Sequence, residues 1–412
     1  MKLLLSIAII VAIAVIGSRL TFLNRKLPLG FRNIIFTGIE YIFIGVLLGR
    51  MGLNLIDAKS LHNVEPFLIF ALSWIGFLFG LQFKFSTIKN LPGFFFSVSA
   101  IQAAFTFAIT TAAIYISFKS FTPLPGELIT IMALTLGSAA CCTAQSSLAV
   151  VNDNYRFKNR KLSSLLQYIS GIDGIFALGF LSLTICILPS TTIMALNLMN
   201  SLQWFLLSIG IGIISALILI ILSKSKFSQQ EFFVFIIGTV LLVGGLAIKT
   251  HNSPLVTGFI CGIIVANFCR HRLRALETVV HSEKSIYIIL LIMIGAGWTL
   301  KFNYILVITV VYFMVRMLGK MLGTFMATRA LKADFNIPPT AGLGLISEGG
   351  LAVVIIMNFS FLYPSLSDYL VTIITLSMFT NEIIGPKLML WQFENPEPIG
   401  QDRDQITNKT RV

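Results

Sequence analysis

The sequence predicts an all-α protein that crosses a membrane many times. Of its 412 residues, 56% are hydrophobic and 11% charged, and a mean hydropathy of +0.89 lies far from the balance of a soluble domain. Apolar stretches of about 20 residues recur along the chain, the length a helix needs to cross about 30 Å of hydrocarbon. Strand-length alternation with polar lumen positions is absent, so helices rather than a barrel must satisfy the backbone inside the bilayer.

About thirteen spans follow in order. The first, Leu3 to Leu20, begins Met-Lys, yet its basic cluster comes after it and no small-residue cleavage pattern precedes that cluster, so a retained helix is expected. Asn33 to Gly49, Pro66 to Phe83 and Gly93 to Phe118 come next. The fifth, Leu128 to Val151, contains LTLGSAACCTAQSSLAVV, rich in small and hydroxyl residues. The sixth, Leu162 to Leu188, is apolar except around Asp173, and Leu202 to Leu222 is a linker helix between halves. Phe232 to Ile248, Leu255 to Phe268, Ser285 to Leu300 and Tyr304 to Thr328 follow, the last holding Arg316 and Lys320. The twelfth, Pro338 to Leu362, contains PPTAGLGLISEGGLAVV, and the thirteenth, Asp368 to Trp391, holds Glu382. Residues 392–412 form a short polar tail, expected to be disordered and cytoplasmic.

The formal charge of +13 is a matter of topology rather than of nucleic-acid binding. Most of the 30 Lys and Arg fall in loops after odd-numbered spans. The positive-inside rule then puts the N-terminus outside and the C-terminus in the cytoplasm of an integral membrane protein, in a bacterial inner membrane, with some affinity for anionic lipids. The five cysteines lie in or at the ends of apolar spans without metal-ligand spacing, which points to packing.

Interrupted, Gly-rich or Pro-containing spans recur seven helices apart, the fifth and the twelfth. Their neighbours match too, since the sixth holds Asp173 and the thirteenth Glu382. Such pairs point to an inverted-repeat transporter with its site at the midplane, the repeats covering roughly residues 1–188 and 232–391 of a single transmembrane unit. A break at Gly349-Gly350 follows from the poor helix propensity of Gly. The fifth span has only Gly137, followed by Ser138, Thr143, Gln145, Ser146 and Ser147, groups that either bind a cation or bond to neighbouring helices.

Ionisable groups inside the membrane are costly and mark function. Four acids lie within spans and away from their ends: Glu40, Asp173, Glu348 and Glu382. Arg316 and Lys320 are spaced four apart and share one face of the eleventh helix. At about 1.5 Å per residue from the cytoplasmic ends, Asp173, Lys320, Thr143 and Glu348 all fall roughly 12–16 Å deep, in one plane. A hard monovalent cation takes oxygen ligands, which Asp173, Thr143, Ser146 and the carbonyls of a broken helix offer. Lys320 balances the charge when no cation is bound. A carboxyl in this position holds a proton or a cation but not both, and that competition couples the two fluxes in opposite directions.

The chain resembles the monovalent cation/proton antiporter superfamily, the sodium/hydrogen exchanger fold, over almost its whole length. The likeness rests on GVLLGRMGLNLI in the second helix, IGFLFGLQF in the third, SGIDGIFAL in the sixth, PLVTGFICGIIVANF in the ninth, RMLGKMLG in the eleventh and GLGLISEGGLAVVI in the twelfth. The resemblance implies a dimer domain and a mobile core transport domain, crossed unwound helices, a homodimer and elevator-like alternating access. It implies that Asp173 carries the transported cation, sodium or potassium, and the proton, that Thr143 belongs to the unwound fifth helix, and that Lys320 faces the site. Two positions depart from the family pattern. Ile172 stands where Asn, Asp or Gln usually precedes the carboxylate, which leaves one site carboxylate and favours one-for-one electroneutral exchange over electrogenic exchange, unless Glu348 or Glu382 restores a second charge. Glu348 stands where many relatives have a basic or neutral residue, and either pairs with Lys320 or Arg316 or gates the pathway.

Other functions fit less well. An intramembrane aspartyl hydrolase needs two facing Asp residues, and one lies within a span. A metalloprotease needs HExxH, and His62, His251, His271 and His281 read as loop residues without that spacing. No enzyme activity and no cofactor is expected. A potassium-efflux channel and a sodium-coupled organic-anion symporter of related fold remain, the latter because of Arg316 and Lys320, and a sensor that has lost transport is supported by Ile172.

Overall fold

The computed structural model describes residues 13, 38–86, 93–156, 159–187, 201–224, 228–299, 304–332, 335, 337–391 and 397–398. The first expected span and the N-terminal part of the second lie outside these, apart from Ile13. The described helices are α1 (Glu40–Leu48), α2 (Ala58–Asn63), α3 (Glu65–Gln82), α4 (Gly93–Phe121), α5 (Gly126–Cys141), α6 (Gln145–Asn154) and α7 (Arg160–Ile187). After them come α8 (Ser201–Leu222), α9 (Gln229–Lys249), α10 (Pro254–Phe268), α11 (Arg272–Gly297), α12 (Tyr304–Ala330), α13 (Gly350–Leu362) and α14 (Ser367–Trp391). A 3-10 turn, Ala341–Leu345, precedes α13, and a two-residue antiparallel pairing joins Tyr155–Arg156 to Glu397–Pro398.

Local sequence sets the helix starts. Ser253 accepts from the Val256 amide at 3.1 Å with Pro254 in the first turn of α10, and Ser228 with Glu231 closes a capping box on α9. Seven helical spans among the described residues are long and apolar enough to cross a membrane, counting α5 and α6 together as one, and α10 and α13 are shorter apolar helices. Large apolar side chains face outward, among them Leu206, Ile214 and Ile221 of α8, as lipid contact requires.

The fifth span is interrupted as expected, with no glycine at the break: α5 stops at Cys141, Cys142 is extended, and α6 starts at Gln145. Two other expectations need correction. The tenth helix begins at Arg272, thirteen residues before its apolar stretch, because the backbone stays helical through polar turns that hydropathy does not detect. His281 therefore lies in a helix, and so does His62, in α2, which Asp57 caps through the Ser60 amide at 2.8 Å.

Packing sorts the helices into two bundles. In one, α4 packs on α5, α7 and α12, α5 packs on α7 and α13, and α14 packs on α12 and α13. In the other, α3 lies along α10, α1 along α11, and α8 and α9 cover α10. The closest crossings of the second bundle are made by glycines. A Cβ on Gly76 or Gly80 of α3 would strike the α10 backbone at Leu255 or Phe259, and one on Gly45 of α1 would strike α11 at Ile292. A shift of seven spans exchanges the α3–α10 pair with the α11–α1 pair, as inverted repeats require. Helix α8 touches both α7 and α10.

Candidate functional site

The two interruptions meet in the first bundle. Cys142 to Ala144 separates α5 from α6, and Ile346 to Gly349 separates the 3-10 turn from α13. They touch through the Ala144 amide, which donates to the Ser347 carbonyl at 2.9 Å. Gly349 permits that approach, since a Cβ there would lie 3.0 Å from the Thr143 carbonyl oxygen.

A broken helix leaves carbonyls at its C-terminal end with no amide to accept from. Here α12 supplies the donors. Arg316 donates through Nε to the Ala140 carbonyl at 3.1 Å and through Nη2 to the Cys142 carbonyl at 2.7 Å. Its Nη1 reaches the Ile346 carbonyl across the crossing. Lys320, one turn on, donates to the Cys141 carbonyl. Both are fully buried, and both place positive charge where the α5 dipole is negative. One guanidinium thereby ties the two interrupted helices together.

Asp173 sits in the middle of α7, 1% exposed. Its Oδ2 accepts from Lys320 Nζ at 3.1 Å and from the Thr143 hydroxyl, and Lys320 Nζ also donates to Thr143 Oγ1 at 2.9 Å. Asp173, Thr143 and Lys320 thus form a closed triangle of mutual contacts. Ser146 does not join it by hydrogen bond among the described residues but lines the same cavity. That cavity, of about 330 Å³, is also lined by Asp173, Thr143, Gln145, Glu283 and Tyr287, and it lies between the two bundles. Ile172 is not among its lining residues, although Gly171 and Gly174 are.

Glu348 belongs to a second cluster behind the first. Tyr312 donates to its Oε1 at 2.7 Å, Ser377 and Asn381 to its Oε2 at 3.2 and 3.1 Å, and Arg316 Nε stands 3.6 Å away. Of the two partners expected for Glu348, it is therefore Arg316 that it meets. Glu382 of α14 is also buried and accepts from Ser147 Oγ at 3.3 Å, so hydroxyls at 143 and 147 of one interrupted span serve two different carboxyls. Glu40, at the start of α1, is half-buried and electrostatically coupled to Lys284 of α11.

Sequence reasoning overlooked Tyr312, Ser377, Asn381 and Glu283. Tyr312 had a signal, since 312, 316 and 320 recur at one-turn spacing on one face of α12. Ser377 and Asn381 carry the same four-residue spacing on α14. Glu283 had none, because it read as part of a loop.

A family model described as sodium/hydrogen exchanger, transmembrane, matches residues 10–389. No curated protein matches the chain. The fold is similar to a solved structure of the sodium proton antiporter MjNhaP1 from Methanocaldococcus jannaschii at pH 8, with a TM-score of 0.63, 15% identity, and coverage of 96% of this chain and 100% of that one. An electron-microscopy structure of the same antiporter gives a TM-score of 0.61 at 14% identity and the same coverage. With a family match over nearly its whole length, and a fold shared with a solved antiporter, the chain belongs to the sodium/hydrogen exchanger family.

Proposed function

We propose that the protein is a secondary antiporter that exchanges a monovalent cation for a proton by alternating access, with Asp173 alternately protonated and cation-bound. The observation that carries this reading is the contact of Asp173 with Lys320 and Thr143 at the end of a polar cavity. In the absence of a cation, Lys320 neutralises the buried carboxylate. A cation entering the cavity finds Asp173, the Thr143 hydroxyl, the carbonyls of the unwound segments and, at the wall, Ser146. It displaces the ammonium from Asp173, and protonation of Asp173 on the other face of the membrane releases it. Arg316 keeps the unwound carbonyls in place, and Glu348 holds Arg316. Sodium is the first ion to test, given the sodium proton antiport of MjNhaP1, with potassium second.

The bundle of α4–α7 and α12–α14 is the moving transport domain, and the other is the static panel through which a homodimer forms. The cavity reaches the end of α11 that carries the basic loop, so this state faces the cytoplasm, with the N-terminus outside. Only one cavity-lining acid, Asp173, travels with the moving bundle, which supports electroneutral one-for-one exchange. An organic-anion symporter is disfavoured because Arg316 is engaged by three carbonyls and Lys320 by Asp173.

The test is proton flux in proteoliposomes containing wild type or Asp173→Asn, with sodium, potassium or lithium added in turn. The reading requires cation-triggered alkalinisation that the variant loses while remaining folded. Exchange retained by Asp173→Asn would remove the central assignment.

A further inference from the structure

The cavity that ends at Asp173 holds a second carboxyl that the exchange scheme leaves unused. Glu283 lies on α11, in the polar turns before the apolar stretch begins at Ser285, and lines the cavity with Gln82, Gln145 and Tyr287. It is half-buried, yet it accepts no hydrogen bond and joins no ion pair among the described residues. A carboxylate in that position is costly unless something polar or charged meets it. Lys284, the next residue, lines the same cavity and is coupled to Glu40 of α1. The other titratable groups that share the cavity are Tyr41 of α1, Cys142 at the end of α5, Asp173 of α7 and Tyr287 one turn along α11. The cavity walls from α3, α6 and α13 add none.

We propose that Glu283 is a recruiting site for the monovalent cation, holding it, still partly hydrated, near the cavity mouth before it passes to Asp173. This rests on the reading that Asp173 carries the exchange. Glu283 belongs to the panel bundle and does not travel with Asp173, so it adds nothing to the stoichiometry and acts from one face of the membrane only. A carboxylate in a narrow cleft concentrates counter-ions, and the gain appears in KM rather than in kcat. Burial pushes the Glu283 carboxyl up to about 7. It is therefore ionised and attractive above about pH 7 on its own face, and neutral and ineffective below.

The experiment compares wild type with Glu283→Gln in sealed vesicles of both orientations, measuring KM for sodium added at each face at pH 8 and at pH 6. At pH 8 the variant should show a KM higher by about tenfold, the low end of enrichment in a charged cleft, at the cavity face alone. At pH 6 the two proteins should coincide, and Glu283→Asp should restore part of the difference at pH 8. Equal KM values at pH 8, an equal rise at both faces, or a fall in kcat with KM unchanged would each overturn the proposal. If the Gln variant does not fold, the wild type alone decides: protons compete with the cation at Asp173 on both faces, so its KM must rise more steeply as pH falls through about 7 at the cavity face than at the other, and an equal rise at both faces would overturn the proposal. Asp173→Asn separates the two ideas, because exchange retained there removes the transport reading and leaves the Glu283 comparison standing on its own KM values.

Discussion

The Ala144 amide donates to the Ser347 carbonyl at 2.9 Å, so two helix interruptions far apart in the chain satisfy each other in the buried interior of the first bundle. Irregular backbone at membrane depth is tolerated only where protein or a water-filled cavity covers it. Here each break covers the other, and Arg316 and Lys320 take up the carbonyls of Ala140, Cys141, Cys142 and Ile346.

The crossing depends on a missing side chain. A Cβ at Gly349 would press on the Thr143 carbonyl, whereas one at Gly179 of α7 would meet nothing within 4 Å. Gly349→Ala should lower the melting temperature of the purified protein by the equivalent of about 1–3 kcal/mol and cut exchange severely. Gly179→Ala should leave melting unchanged or slightly raised. Identical behaviour of the two variants would remove the claim that close approach matters at 349.

Thr143 donates to Asp173 and accepts from Lys320. Thr143→Val keeps the shape and removes the hydroxyl, whereas Thr143→Ser keeps the hydroxyl. The Val variant should raise KM for the cation about tenfold, the worth of one hydrogen bond to a charged group, and the Ser variant should stay near wild type. Transport assays with matched protein levels read this directly, and a normal Val variant would exclude Thr143 as a ligand.

Arg316 and Glu348 are buried together, and Arg316 has three further acceptors. Arg316→Ala alone should destabilise by about 3–5 kcal/mol, because it strands a buried carboxylate and several carbonyls. In a double-mutant cycle with Glu348→Ala, the losses should fall short of additive by about 0.5–3 kcal/mol. Additive losses would mean that the pair is not coupled.

On the side away from the cavity mouth, one of the contacts that join the two bundles is made by Ser253 Oγ, which donates to Asn358 Oδ1 at 2.8 Å; another runs from Trp298 Nε1 to Thr372 Oγ1 at 2.8 Å. Asn358→Ala removes the Ser253 link without touching the site. Amides at the start of α10 and the end of α13 should then exchange hydrogen faster, while those around Asp173 keep their protection. Unchanged exchange at both places would mean that the link does not hold this face shut.

The sequence by itself determined that the chain is helical and membrane-spanning, that Asp173, Lys320 and Thr143 share a depth, and that the twelfth span is interrupted at Gly349-Gly350. These properties are local: span length, the cost of charge in hydrocarbon and the helix propensity of glycine depend on near neighbours along the chain. Only the tertiary structure decided that the fifth span breaks at Cys142, since no residue there is a helix breaker and the break is held by Arg316 and Lys320 from another helix. It also decided that Glu348 meets Arg316 while Lys320 meets Asp173, although both bases lie on one face of α12. And it brought Glu283 into the cavity, because burial at that position comes from helices packed around it and leaves no trace in the polar turn that carries it.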